Sequence, residues 1–95
     1  MNTISVVILN YNGEKMLEKY LPSVVSNTKD AEIIVADNKS TDNSITWIKN
    51  NYPSIRIIEM SENWGFAEGY NKALKQIDSE YFILLNSDVY TPEGW

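Results

Sequence analysis

Four short polar segments hold the residues best suited to chemistry: Asn10-Tyr11-Asn12-Gly13, Asp37-Asn38, Ser61-Glu62-Asn63 and Asn86-Ser87-Asp88. Tyr11 sits beside small turn-forming residues, where an exposed ring would stack on a nucleobase; a half-buried aromatic covering the end of a sheet suits the position equally. Asp37 closes an apolar run. A carboxylate there can accept hydrogen bonds from a ribose hydroxyl or a base N–H, or it can serve an Asx-turn shared with Asn38, Ser40 and Thr41. Asp88 closes another apolar run, where a lone Asp is ordinarily a turn residue. Facing Asp37 across a crevice, it could instead hold a divalent ion that bridges two phosphates. Gly65 and Gly69 fall one helical turn apart in Asn63-Trp64-Gly65-Phe66-Ala67-Glu68-Gly69-Tyr70-Asn71. Glycine early in a helix costs about 1 kcal/mol against alanine. Either a ligand or a tightly packed neighbour therefore comes close, and Gly69 suits both.

Composition narrows the chemistry. The net charge of -5 and eight scattered basic residues exclude nucleic acid as a main partner, because a phosphate backbone needs clustered Lys and Arg. The same shortage means that a phosphorylated ligand must find its counter-charge in a divalent cation or at helix N-termini. With no Cys and no His, thiol catalysis, disulfides and ordinary zinc sites are excluded, which leaves oxygen-ligated Mg²⁺ or Mn²⁺.

The elements that must position these residues alternate along the chain. Ile4 to Leu9 is a continuous β-branched run, the pattern of a strand covered on both faces. Met16, Leu17, Tyr20, Leu21, Val24 and Val25 then mark one face of a helix. Pro22 predicts a kink or two abutting pieces. Glu32 to Ala36 is a second strand ending at Asp37. Ser40 or Thr41 is expected to cap the next helix, with Asp42 in its first turn and Pro53 marking its end. Ile55 to Met60 is a weaker strand, interrupted by Arg56 and Glu59. A third helix starts near Gly65 or Phe66, and Tyr81 to Leu85 is a fourth strand. This β-α-β-α-β-α-β order specifies a Rossmann-like α/β fold, a mostly parallel sheet with helices on both faces. In such sheets ligands bind beyond the carboxyl ends of the strands, which is where all four polar segments fall.

Ninety-five residues suit one domain spanning 1–95, with no internal repeat or linker. No stretch approaches the ~20 apolar residues of a membrane helix, and the start lacks a signal-peptide pattern, so a cytoplasmic protein is expected. Pro92-Glu93-Gly94-Trp95 reads as the opening of another helix, so the chain is expected to be part of a longer one. A bare fourth-strand edge would then predict self-association.

Taken together, the segments resemble the inverting family 2 glycosyltransferases with the GT-A fold. The resemblance is strongest to the bacterial polysaccharide branch that includes rhamnosyltransferases. The matching strings are Val6 to Gly13, Ile33 to Asp42, Asn63 to Ala67 with Gly69 and Asn71, and Leu84 to Val89. The resemblance implies that the backbone around Asn10 and the ring of Tyr11 hold the base, and that Asp37 binds base or ribose. Asn12, Asn63 and Gly65 join the substrate-binding set through the same strings. Asn86-Ser87-Asp88 matches the family's Asp-x-Asp motif, with Asp88 coordinating Mn²⁺ or Mg²⁺ on the diphosphate. Asn86 stands where many members have Asp, which leaves its part as ribose or metal contact open. The implied donor is a nucleoside-diphosphate sugar, UDP- or dTDP-linked, and the implied acceptor a glycan or lipid-linked hydroxyl. The full-length protein would act at the inner face of the membrane. In the family the general base lies well downstream, so this chain is expected to carry half a site and to be inactive alone.

Three other readings compete. A nicotinamide-dependent oxidoreductase needs G-x-G-x-x-G in the first turn, where this chain has a single glycine, Gly13. A receiver-type phosphoacceptor domain wants an acid pair where Asn10 and Asn12 stand. A non-catalytic nucleotide- or protein-binding module remains the alternative.

Overall fold

The β-branched run at the start of the chain forms β1 (Ile4–Asn10), and the three later runs form β2 (Glu32–Asp37), β3 (Arg56–Glu59) and β4 (Tyr81–Asn86). Between them lie α1 (Glu14–Asn27), α2 (Ser44–Asn51) and α3 (Phe66–Leu74). The computed structural model describes residues 4–28, 31–62, 65–79 and 81–86. All pairings are parallel and the sheet order is β3-β2-β1-β4, so β1 is central.

Alternation along the strands builds two cores. Val6, Ile8 and Val35 face Leu17, Leu21 and Val24 of α1 and Ile48 of α2. Val7, Leu9, Ile34, Ala36 and Ile58 face Tyr70 and Ala73 of α3, with Ile77 just beyond it. Because both faces of β1 are covered, its sequence has no polar alternation. Each such buried side chain stabilises by about 1.5–3 kcal/mol. The expected α/β fold is therefore the observed one.

The two sheet edges differ. Edge strand β3 is short and carries Glu59, paired with Lys49 at 3.9 Å in a solvated contact that contributes little. Edge strand β4 is apolar, and Tyr81, Ile83 and Leu84 are 52%, 38% and 45% exposed.

Two local expectations are corrected. Pro22 does not split α1 into two abutting pieces, and the helix runs unbroken from Glu14 to Asn27. Pro22 and Glu18 both face solvent, so water can serve the carbonyl that the ring leaves without a donor. Likewise, neither Ser40 nor Thr41 caps α2, and no acid stands in its first turn, because the helix starts only at Ser44. Ser40 and Thr41 belong instead to the preceding loop, where contacts to β1 and to Asn12 claim them.

Candidate functional site

The strand order sets where a ligand can sit. From β1 the chain moves outward to β2 and β3 and then returns to the opposite side of β1 as β4, so the order reverses between β1 and β4. The strand ends lie almost level: Asn10 is in register with Asp37, Leu9 with Asn86, and Asp37 with Glu59. The predicted polar segments at Asn10 to Gly13, at Asp37-Asn38, after Met60 and at Asn86 therefore open on one edge of the sheet.

On the α1/α2 side of that edge the side chains bond to one another. Asn10 is fully buried, and its Nδ2 donates to Asp37 Oδ1 at 2.9 Å, Ser44 Oγ at 3.0 Å and Ser40 Oγ at 3.2 Å. Its Oδ1 has no partner among the described residues. Asp37 is 3% exposed, and both its oxygens are engaged. Oδ1 also accepts from the Ser40 hydroxyl at 2.6 Å, and Oδ2 accepts from the Ser40 N–H at 2.8 Å. The N–H bonded is three residues on, one further than in an Asx-turn, so Asp37 holds the loop at Ser40 by a wider closure.

Asn12 adopts a left-handed backbone, φ 50. Its N–H donates to Ser40 Oγ at 2.9 Å, while its Oδ1 accepts from the N–H groups of Thr41 at 2.7 Å and Asp42 at 3.2 Å. Tyr11, between these two anchored asparagines, is 49% exposed. Of the three residues after the body of β1, it alone exposes a large side chain with no hydrogen bond among the described residues.

Asp42 joins two helix starts. Its Oδ2 accepts from the Glu14 N–H at 3.1 Å, and its Oδ1 accepts from the N–H and hydroxyl of Ser44 at 3.0 and 2.5 Å. Glu14 returns the contact, its carboxylate accepting from the Asn43 N–H at 3.3 Å. Partial burial works against ionisation of Asp42, but the bonds from Ser44 and Glu14 outweigh it and hold the carboxyl below its usual range.

On the α3 side, glycine and Asn38 do the shaping. Gly65 has φ 76 and ψ -171, a conformation open essentially to glycine alone, and its carbonyl accepts from Asn38 Nδ2 at 2.9 Å. A Cβ on Gly69 would lie 2.7 Å from Asn38 Nδ2 and 3.1 Å from a Leu9 methyl carbon. Close packing therefore accounts for Gly69. Tyr70 reaches across this layer, its hydroxyl donating to the Leu85 carbonyl, and burial raises its phenol above the usual value. Asn38, buried at 2%, is the residue that sequence reasoning underused. The signal was a second polar residue after β2, with two glycines one turn apart downstream.

Asn63, Ser87 and Asp88 lie outside the described residues, as does the side chain of Asn86. Among the described residues no three acids gather to hold a metal ion. Asp37 and Asp42 are committed to internal hydrogen bonds, and Asp88, the expected metal ligand, lies outside the described residues.

A parallel sheet covered on both faces, with its polar loops gathered at the reversal of strand order, defines a Rossmann-like α/β unit of the GT-A kind. The chain belongs to glycosyl transferase family 2, whose model matches residues 5–95. A poly(ribitol-phosphate) beta-glucosyltransferase of Bacillus spizizenii is 37% identical over 92% of this chain and 15% of its own length. The structure of S. aureus TarS 1-349 in complex with UDP-GlcNAc superposes with a TM-score of 0.79 at 28% identity, covering 93% of this chain and 27% of that one. The mannosyltransferase PcManGT from Pyrobaculum calidifontis, in complex with GDP-Man and Mn²⁺, shares the fold at a TM-score of 0.83 and 22% identity, covering 96% and 29%. The chain spans 13–37% of the length of the first curated relatives it matches.

Proposed function

We propose that the chain is the nucleotide-sugar-binding portion of an inverting glycosyltransferase of cell-surface polysaccharide synthesis. A sugar would pass from a UDP- or dTDP-linked donor to a hydroxyl of a glycan or lipid-linked acceptor, at the cytoplasmic face of the membrane. The observation that carries this reading is the exposed Tyr11 ring at the reversal of strand order, in a chain of family 2.

In this reading Tyr11 stacks on the base. Asn10, Asn12 and Asp37 line that end of the sheet mainly as framework, since Asn10 Nδ2, Asn12 Oδ1 and both Asp37 oxygens are held internally, and Gly65, Asn63 and Asn86 would add the remaining donor contacts. Asp88 would hold Mn²⁺ or Mg²⁺, which would offset charge on the departing nucleoside diphosphate. The acceptor oxygen attacks the anomeric carbon as the bond to the diphosphate breaks, and the hydroxyl proton passes to a general base. No residue of this chain is assigned that base. In this reading it would lie outside residues 1–95, and the chain alone should bind without turnover. The apolar β4 edge further suggests that isolated chains associate, which sedimentation at rising concentration would reveal.

Calorimetric titration with UDP and dTDP, with and without Mn²⁺, tests the reading. Metal-dependent binding that Asp88→Ala abolishes is the expected result, and the preferred base narrows the donor. A folded chain that takes neither nucleotide under any condition would overturn it.

A further inference from the structure

Tyr11 is half exposed, so its own packing does little to hold it. Its neighbours are held firmly. Asn10 ends β1, its carbonyl accepting from the Asn38 N–H at 2.8 Å and its amide spent on Asp37, Ser40 and Ser44. Asn12 holds a left-handed turn that a non-glycine residue adopts only with local compensation. That compensation is a two-way contact with the loop after β2, through its N–H to Ser40 and its Oδ1 to Thr41 and Asp42. Ser40 is the hub. One hydroxyl donates to Asp37 and accepts from both Asn10 and Asn12. Both ends of a one-residue bridge are thus tied to the same loop, and Tyr11 is that bridge.

We propose that Asn12 and Ser40 form a clasp that positions Tyr11 for the nucleobase, so that Asn12 acts through Tyr11 and does not itself read the ligand. The proposal rests on the function proposed above in one respect, the role of Tyr11 as stacking platform. With the clasp closed, the backbone at Tyr11 is ordered before the nucleotide arrives, and binding is spared that entropy loss. Asn12→Gly keeps the backbone free to adopt φ 50 but removes the acceptor for Thr41 and Asp42. Ser40→Ala removes the hub, and Ser40→Thr keeps the hydroxyl.

The experiment has two readouts on the full chain. The first needs no ligand: the ¹⁵N order parameter of Tyr11 should fall in Asn12→Gly and Ser40→Ala and stay near wild type in Ser40→Thr. An unchanged order parameter in both disrupting variants overturns the clasp whatever the nucleotide does. The second is the Kd for UDP with Mn²⁺, or for dTDP if that is the nucleotide bound, measured well below each variant's Tm. Asn12→Gly should weaken binding roughly tenfold. In a Tyr11→Ala background the same change should have less than about a twofold effect, because the platform is already gone. Additive losses would mean that Asn12 contacts the ligand itself and would overturn the proposal. Tyr11→Ala binding as tightly as wild type sinks the platform role and the clasp's purpose with it. Loss with Tyr11→Ala but not with Asn12→Gly sinks the clasp alone.

Discussion

The two faces of the sheet end in different ways at the same carboxyl edge. Toward α1 and α2 the last residues of β1 and β2 are Asn10 and Asp37, whose buried polar groups meet each other and Ser40 and Ser44. Toward α3 the shape depends on side chains that are absent, Gly65 for its backbone and Gly69 for its closeness to Asn38 and Leu9. One side is specified by bonds that deletion leaves unmet, the other by space that addition overfills. Both solutions fix loops at the cleft without hydrophobic burial, which a ligand site open to water cannot use.

The largest effect should come from breaking the bonded side. Asp37→Ala removes the acceptor for both the N–H and the hydroxyl of Ser40, and one of the three acceptors of the Asn10 amide, at a carboxylate that is 3% exposed. Leaving buried donors unpaired costs about 1–3 kcal/mol each where water cannot enter. Urea unfolding should therefore show a loss of roughly 3 kcal/mol, with the m-value unchanged. A loss below about 1 kcal/mol would show that water reaches these groups and that the network is less closed than its burial indicates.

The α3 side should respond less. Gly65→Ala places a Cβ in open space, with nothing within 4 Å, so any loss reports the backbone alone. A φ of 76 with ψ near 180° costs a non-glycine residue about 1–3 kcal/mol. We expect about 2 kcal/mol in the same assay, with the Asn38 bond to the Gly65 carbonyl loosened as the turn relaxes. Unaltered stability would mean that the start of α3 rearranges freely, and the contrast between the two sides would weaken.

What could be read from the sequence follows from how far apart the determining residues lie. β1 and β2 were legible because a strand covered on both faces has to be apolar throughout, and the run itself carries that information; β4 was legible as an apolar run although Tyr81, Ile83 and Leu84 are exposed. The start of α2 was misread because Ser40 and Thr41 have the composition of caps, whereas their partner Asn12 is chosen by a contact between loops some 28 to 29 residues apart in sequence. Pro22 misled for the opposite reason. Its local penalty is real, but solvent on the outer face of α1 absorbs it. At the site, the positions of Tyr11 and Asp37 at strand ends were evident. That Asp37 spends its oxygens inward, and that Asn38 ties β2 to Gly65, depends on packing between elements that pattern alone does not encode.

The smallest effect belongs to Asp42, at the margin of the bonded side, where solvent partly screens it. Its carboxyl is held below the usual range by Ser44 and Glu14 against the opposing effect of partial burial. The folded value therefore lies under the unfolded one. Its stabilisation is complete above the ordinary carboxylate range and is lost as pH falls through the folded value. Asp42→Asn should lower Tm by a few degrees near neutral pH, and the gap to wild type should close as the solution is acidified below the usual carboxylate range. A gap that persists undiminished at low pH would assign the loss to packing, not charge. The joint between the starts of α1 and α2 would then be steric.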